Sequence, residues 1–276
     1  MSMSEWNGST RAAEDVISSA VNPTVKLARS LHRKPVRQRE RALLVEGARA
    51  IGTAIEHQVR VRTLILDASR ADSIDDRVLR PLAQAAGRVM QVTPKLFSEI
   101  AATENPQSII AICDIPDRAL PENCSLLLVC DGVRDPGNLG TLIRSAAAAG
   151  ADGVIILPGC VDPFNPKAVR ATAGAVFALP IRSARDVPEL ANRYFAAPPA
   201  VVVADANADL VYDAFDWRSP VAMVVGGEAT GESSDTRTYA TSSVCIPMQP
   251  GVESLNAAMA GSILLFEAAR QRRDAV

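Results

Sequence analysis

The sequence predicts an α/β protein of two consecutive domains, on three observations. After Asn22, short unbroken apolar runs alternate with stretches of helical period, the pattern of strands covered by helices. The run Leu126–Cys130, a polar turn, a helical stretch to Gly150 and the run Val154–Leu157 form a complete β-α-β unit. One polar connector, Ile115 to Asn123 with Pro116 and Pro121, interrupts the alternation and marks a boundary. The division is then a flexible tail over 1–21, a first domain over 22–117 and a second over 118–276.

Residues 1–21 are polar with weak periodicity and read as a frayed tail or a loose helix. The first domain reads as strand Ala42–Val45, helix Ala48–His57, strand Thr63–Leu66, helix Ile74–Ala86, strand Arg88–Val92 and closing strand Ser108–Cys113. The second begins with Leu126–Cys130 and continues through strands at Val154–Leu157, Ala200–Ala204, Val221–Val225 and Ser243–Ile246. It closes on an amphipathic helix, Ser254–Arg270, with Leu255, Met259, Ile263 and Phe266 expected to face inward. Within the β-α-β unit, Asp135, Pro136 and Gly137 make the turn and Asn138 is placed to cap the helix. At about 100° per residue Leu139, Leu142, Ile143 and Ala146 share one face. Arg144 points away from it, free to meet a ligand.

Composition narrows the function. The charges nearly cancel, with 29 Lys plus Arg against 31 Asp plus Glu, so no global basic field announces nucleic acid or membrane. One local run does stand out: Lys26, Arg29, Arg33, Lys34, Arg37, Arg39 and Arg41, opposed only by Glu40, is either a solvated face or a phosphate-contacting segment. Five cysteines lie far apart without a Cys-x-x-Cys pair and read as buried thiols of a reducing, cytoplasmic compartment. No apolar stretch reaches membrane-spanning length. The two histidines, His32 and His57, both fall in the first domain; histidine chemistry and histidine metal ligation are thereby excluded from the second, and no metal site is expected.

Three polar clusters each follow a strand of the second domain, so one crevice at the strands' carboxyl ends can gather them: Asp135 to Arg144, Gly226 to Ser233, and Pro247 to Asn256. The middle cluster has the glycine spacing of a P-loop but carries Glu232 where lysine must neutralise phosphate. Nor is it a dinucleotide fingerprint, since Glu228 occupies the second glycine's position. Its glycines are better suited to letting backbone amides approach a flat ligand. Ser254 lacks a histidine partner in its domain and a Gly-x-Ser-x-Gly elbow, which argues against hydrolase chemistry and leaves it as the cap of the last helix. Lys167 and Arg170 sit near the start of a short helix in Pro166 to Ala175.

The order of these clusters resembles the SpoU (TrmH) family of S-adenosylmethionine-dependent RNA 2′-O-ribose methyltransferases, in the SPOUT superfamily. Asp135-Pro-Gly-Asn-Leu-Gly-Thr-Leu-Ile-Arg144 looks like its first motif. Val225-Gly-Gly-Glu228 looks like its second, and Ile246-Pro-Met with Ser254-Leu-Asn256 like its third. The first domain, with Leu44-Val-Glu-Gly47, is similar to the family's substrate-binding domain, itself like a small ribosomal RNA-binding protein. Thr172-Ala-Gly174 departs modestly, standing where many relatives have serine. The resemblance implies a C-terminal trefoil knot and a homodimer whose active site is shared across the interface.

It also implies a site. Asn138, Arg144, Glu228, Ser254 and Asn256 form the catalytic set, and Val225, Gly226, Gly227, Ile246, Met248, Leu255 and Asn256 the cofactor contacts, largely through main chain. Family resemblance makes Arg144 the base, but guanidinium is effectively never deprotonated in proteins. A clamp on the phosphate next to the target sugar suits Arg144 better. The acceptor is a 2′-hydroxyl, which DNA lacks, so the partner is RNA. From Arg118 onward 13 Lys plus Arg stand against 17 Asp plus Glu. That half is poorly equipped to hold RNA alone, which points to the first domain and its basic run, with Lys167 and Arg170 in support. Ribosomal RNA of the large subunit is the expected substrate. Alternatives are a tRNA 2′-O-methyltransferase and a catalytically inactive, ribosome-associated RNA-binding protein; a Rossmann-type enzyme acting on small molecules would need a glycine-rich loop that the order here does not supply.

Overall fold

The computed structural model describes residues 16–101, 105–228 and 231–274. The chain divides into two compact units, Met1–Ile115 and Pro116–Val276.

In the first unit the order is α1 (Pro23–Ser30), α2 (Lys34–Glu40), β1 (Ala42–Glu46), α3 (Ala48–Glu56), β2 (Val61–Asp67), α4 (Asp76–Ala85), β3 (Val89–Val92), α5 (Pro94–Ala101) and β4 (Ile109–Asp114). The four strands lie in the order β1-β4-β2-β3, with β4 antiparallel to both neighbours and β2 parallel to β3. All six expected elements are present, with no end moved by more than two residues. The basic run, read without any element, forms α1 and α2. Asn22 caps α1 by accepting from the N–H groups of Thr24 and Val25, with Pro23 in the first turn. Val25 and Ala28 of α1 pack with Leu44, Ile65, Phe97, Ile100 and Ile112 in the core. The tail reading needs one correction. Ile17 lies alongside β3, donating its N–H to the Gln91 carbonyl at 3.0 Å and accepting from Thr93 at 3.1 Å, because β3 is an edge strand with backbone groups to satisfy. Residues 1–15 of the tail lie outside the described residues.

The second unit runs β5 (Leu126–Asp131), α6 (Pro136–Ala148), β6 (Gly153–Ile156), α7 (Pro166–Ala171), α8 (Ala175–Ala178), β7 (Ile181–Ser183), α9 (Val187–Tyr194), β8 (Ala200–Ala204), β9 (Leu210–Val211), β10 (Val221–Gly226), α10 (Ser234–Tyr239), β11 (Ser242–Cys245) and α11 (Ala257–Arg273). Seven strands form a parallel sheet in the order β7-β6-β5-β10-β8-β11-β9. Alternation along β5 sends Leu126, Leu128 and Cys130 to the side of α6 and α11, and Leu127 and Val129 to the side of α9. Both faces are thereby buried, as an all-parallel sheet requires.

Two helix starts differ from expectation. Asp135, not Asn138, caps α6, its side chain accepting from the Asn138 N–H at 2.9 Å. Asn256, not Ser254, caps α11. In each case the capping residue is followed directly by a first turn whose N–H groups it can reach, and Ser254 stands two residues too early. The inward face of α11 also differs. Ala258, Gly261, Leu264, Leu265 and Ala268 are buried, whereas Met259 and Phe266 are 56% and 51% exposed and Leu255 is exposed before the helix begins. Close packing explains this: α11 lies so near α6 that a Cβ on Gly261 would stand 2.4 Å from Leu142 Cδ2. Small residues therefore face inward, and the large apolar ones are left outside. Arg272 fixes the far end of α11, donating to the Trp217, Ser125 and Ser219 carbonyls at 2.8, 2.8 and 2.9 Å.

Candidate active site and cofactor cavity

The carboxyl ends of β5, β8, β10 and β11 carry the site, and buried carboxylate chemistry holds their loops in place. Asp131 ends β5 at 4% exposure. Its Oδ2 accepts from the Ser233 N–H and hydroxyl, both at 2.8 Å, and from the Thr236 hydroxyl at 2.6 Å. Ser233 in turn caps α10, so one carboxylate ties the loop after β10 to the strand beside it. Within that loop Gly227 and Gly231 exchange two backbone hydrogen bonds, at 3.0 and 2.8 Å. Gly226 closes against the loop's own backbone: a Cβ there would stand 2.3 Å from both Glu232 N and Gly231 C. The close approach that requires this glycine is thus within the protein, where the sequence suggested approach to a ligand.

Asn138 in the first turn of α6, Glu228 in the loop after β10 and Asn256 at the head of α11 come together. The Oδ1 of Asn256 accepts from the N–H groups of Ala258 and Met259 at 3.0 and 3.2 Å, which turns its amide nitrogen outward. That nitrogen donates to Glu228 Oε1 at 2.9 Å and to Asn138 Oδ1 at 3.0 Å. With its oxygen engaged, Asn138 donates its own Nδ2 to the same Glu228 oxygen. The helix cap therefore sets the orientation of both amides, and two N–H donors converge on one carboxylate oxygen. At the head of α6 the Asn138 N–H holds the Asp135 carboxyl below its ordinary value; burial opposes this and Lys167, 3.5 Å away, adds to it.

A cavity of about 330 Å³ opens beside this cluster, between the ends of β8, β10 and β11 and the start of α11. It collects Val225, Gly226, Gly227, Ile246, Met248, Leu255 and Asn256, every residue expected to contact the cofactor, and also Glu228 and Ser254. Its volume falls at the lower end of the range of small-molecule sites. Val225, Val244, Ile246 and Leu264 supply apolar wall, and Asp205 and Glu228 supply carboxylates. Apolar wall, exposed main chain and two negative side chains fit a cofactor that joins a flat adenine to a sulfonium and an ammonium. Asp205 was missed from sequence. It follows β8 directly and meets Arg237 at 3.2 Å, and Arg237 also holds the almost fully buried Glu232 at 2.5 Å. Like Asp131, it is a carboxylate closing an apolar strand on the crevice side, and that signal was there to read.

Arg144 stands apart from the cluster. It is exposed on α6, and no hydrogen bond or ion pair holds it among the described residues. Six residues separate it from Asn138, about 240° around the helix and ~9 Å along it, so the two side chains leave α6 in different directions. Ser254 lines the cavity wall. Of the expected RNA contacts, Lys26, Arg29, Arg33, Lys34, Arg39, Arg41, Lys167 and Arg170 are exposed. Arg29 pairs with Glu99 at 3.4 Å and Arg39 with Glu40 at 2.8 Å. Arg37 must be removed from the set. It is 1% exposed, and its Nη1 donates to the Leu31 carbonyl at 2.7 Å. On α2 it shares the inward face with Val36; its aliphatic stem packs there while the guanidinium finds a backbone acceptor.

Comparison with known proteins agrees with this geometry. Residues 125–266 match the sequence profile of the SpoU rRNA Methylase family, and residues 22–111 match that of the MRM3-like substrate binding domain. The 23S rRNA (uridine(2479)-2′-O)-methyltransferase of Streptomyces viridochromogenes is 35% identical, across 86% of this chain and 85% of its own. The 23S rRNA (guanosine(2553)-2′-O)-methyltransferase RlmP of Bacillus subtilis is 30% identical, across 91% and 97%. Among solved structures, the SpoU methyltransferase AviRb from Streptomyces viridochromogenes in complex with AdoMet superposes with a TM-score of 0.81 at 32% identity, covering 91% of this chain and 98% of that one. An AdoMet-bound rRNA methyltransferase from Sinorhizobium meliloti gives 0.79 at 33% identity, covering 93% and 97%. The chain belongs to the SpoU rRNA methylase family. It is an RNA ribose 2′-O-methyltransferase, and its cofactor is S-adenosylmethionine.

Proposed function

We propose that this protein methylates a ribose 2′-hydroxyl of large-subunit ribosomal RNA. The observation that carries the reading is the Asn138–Glu228–Asn256 cluster at the edge of the cofactor cavity, because a module that only bound RNA would not require it. The first unit supports ribosomal RNA over tRNA: it matches a substrate-binding domain and exposes six cations of its basic run, suited to phosphate contacts.

When bound, S-adenosylmethionine supplies a methyl group carried on a sulfonium. Val225, Ile246 and Leu264, which line the cavity, would hold it against apolar wall, and Asn138 and Asn256, locked by Glu228, would orient the acceptor sugar or its partners. Arg144 clamps a neighbouring phosphate with a bidentate grip. Its direction on α6, away from Asn138, suits a site completed across a homodimer. The exposed Met259, Phe266, Leu255 and Val252 support such an interface, as an apolar surface left uncovered on one chain. Membership of the SpoU family supports the trefoil knot. We place the protein in the cytoplasm. All five cysteines are free, as suits a reducing compartment; burial pushes the Cys113 thiol up to about 12 and the Cys124 thiol to about 11, which makes both poor nucleophiles. Among the described residues no helix is long and apolar enough to cross a membrane.

The test is to map ribose methylation in total RNA with and without the gene. Loss of one 2′-O-methyl mark in large-subunit RNA is expected; loss of a tRNA mark alone refutes the choice of substrate, and an unchanged map refutes the activity.

A further inference from the structure

We propose that a second, smaller cleft on the other side of Glu228 seats the sugar of the nucleotide being methylated, and that Arg134 at its rim grips an adjacent phosphodiester as a substrate-positioning residue. This rests on the activity proposed above and specifies how its RNA is held. The cleft measures about 110 Å³ and is lined by Gly132, Arg134, Asp135, Asn138, Gly227 and Glu228, among others. At roughly 30 Å³ per water in the liquid, that is the space of a few waters, on the scale of a sugar ring rather than a whole nucleotide. Gly227, Glu228 and Ala257 belong to this cleft and to the cofactor cavity alike. A sugar hydroxyl directed from the cleft toward the cofactor therefore meets the Asn138–Glu228–Asn256 cluster at the boundary.

Arg134 has the chemistry for the rest of the nucleotide. It is exposed, and among the described residues it makes no hydrogen bond or ion pair. The nearest carboxylate in sequence, Asp135, is already engaged, capping α6 and meeting Lys167 at 3.5 Å. The main chain under Arg134 is fixed: Val133 is buried, and its carbonyl accepts from the Val161 N–H at 2.9 Å. An unneutralised guanidinium on an anchored turn, beside a cleft walled by Glu228, offsets the repulsion that carboxylate exerts on a phosphate. Its planar fork can also donate to two phosphate oxygens at once.

The experiment compares the parent with Arg134→Ala and Arg134→Lys in methyl transfer to unmodified ribosomal RNA across a range of salt, with cofactor affinity measured by calorimetry. In Arg134→Ala the RNA KM should rise about tenfold or more with kcat within about twofold. The slope of log binding constant against log salt should fall by about 0.7–0.9, one phosphate contact. Arg134→Lys should recover the salt slope and part of the KM, since an ammonium keeps the charge without the fork. Cofactor affinity should match the parent's in both variants, which also reports that they fold. An unchanged KM and salt slope in Arg134→Ala, while the parent transfers methyl normally, overturns this inference alone. A parent protein that transfers no methyl to ribosomal RNA overturns the proposed substrate and this inference together.

Discussion

Asn256 does two jobs with two ends of one amide, and substitution can separate them. Its oxygen caps α11, and its nitrogen reaches Glu228 and Asn138. Asn256→Ser keeps an oxygen for the cap and removes the donor; Asn256→Ala removes both. Asn256→Asp keeps the cap and sets a second carboxylate oxygen about where the amide nitrogen stands, 2.9 Å from Glu228 Oε1. Loss of the cap costs ~1 kcal/mol, so Asn256→Ala should melt about 2–4 °C below the parent and Asn256→Ser close to it. Two unit charges 2.9 Å apart repel by about 1.4 kcal/mol even in water, so Asn256→Asp should lose about as much as the alanine variant despite its intact cap. Activity should follow the other end of the amide. A hydrogen bond to a charged group contributes about 1.5–3 kcal/mol, so all three variants should lose roughly one to two orders of magnitude in kcat/KM for RNA. Thermal melting followed by a labelled-methyl transfer assay reads both quantities on the same preparations. If Asn256→Ser transfers methyl at the parent's rate, Asn256 is a helix cap only, and the orienting role given to the cluster is wrong.

The same geometry predicts further outcomes. Arg144→Ala should lose methyl transfer yet bind S-adenosylmethionine with parental affinity, because Arg144 lies off the cofactor cavity; Arg144→Lys should also be poor, and near-normal turnover of the lysine variant would refute a bidentate clamp. Gly226→Val should abolish calorimetric cofactor binding by forcing the backbone at Gly231 and Glu232 away from the 2.3 Å approach that glycine allows; parental affinity would show that this loop does not shape the site. Met259→Glu with Phe266→Glu should convert a dimer to a monomer in light scattering at little cost to the fold, since both side chains are already in solvent on one chain; an unchanged mass counts against the α11 interface. Asp131→Asn should loosen the loop after β10, because an amide nitrogen in place of Oδ2 cannot accept from Ser233 and Thr236; a rise in the cofactor dissociation constant is expected, and none would mean the loop holds itself.

Sequence pattern and three-dimensional packing carried different parts of the result. The central strands were legible because a parallel sheet buries both faces: Ala200–Ala204 is β8 residue for residue, and β5 and β10 extend their expected runs by one residue each. The crevice was legible because loops at the carboxyl ends of neighbouring strands must converge; the individual residues expected to contact the cofactor came from the family resemblance. Short elements such as β7, β9 and α8, of four residues or fewer, carry too little periodicity to be read. The basic run was read by charge alone, and charge does not distinguish Arg37, buried against Leu31, from its exposed neighbours. Only the helical phase of α2, with Val36 beside it, could have done so.

The misread face of α11 bears most directly on function. Hydrophobicity marks Met259, Ile263 and Phe266 as an inward stripe, and in an isolated helix-on-sheet packing that choice would be reasonable. Here the inward stripe is Ala258, Gly261, Leu265 and Ala268, because α11 must come close enough to α6 for Asn256, at its head, to reach Asn138 and Glu228. The 2.4 Å approach at Gly261 and the 3.0 Å bond between the two asparagines are thus two ends of one requirement. A bulkier residue at Gly261 would push the helix outward and draw the cap away from the cluster. Small residues on the inner face bring the site together, and the large apolar residues displaced to the outer face form the surface proposed to meet a second subunit.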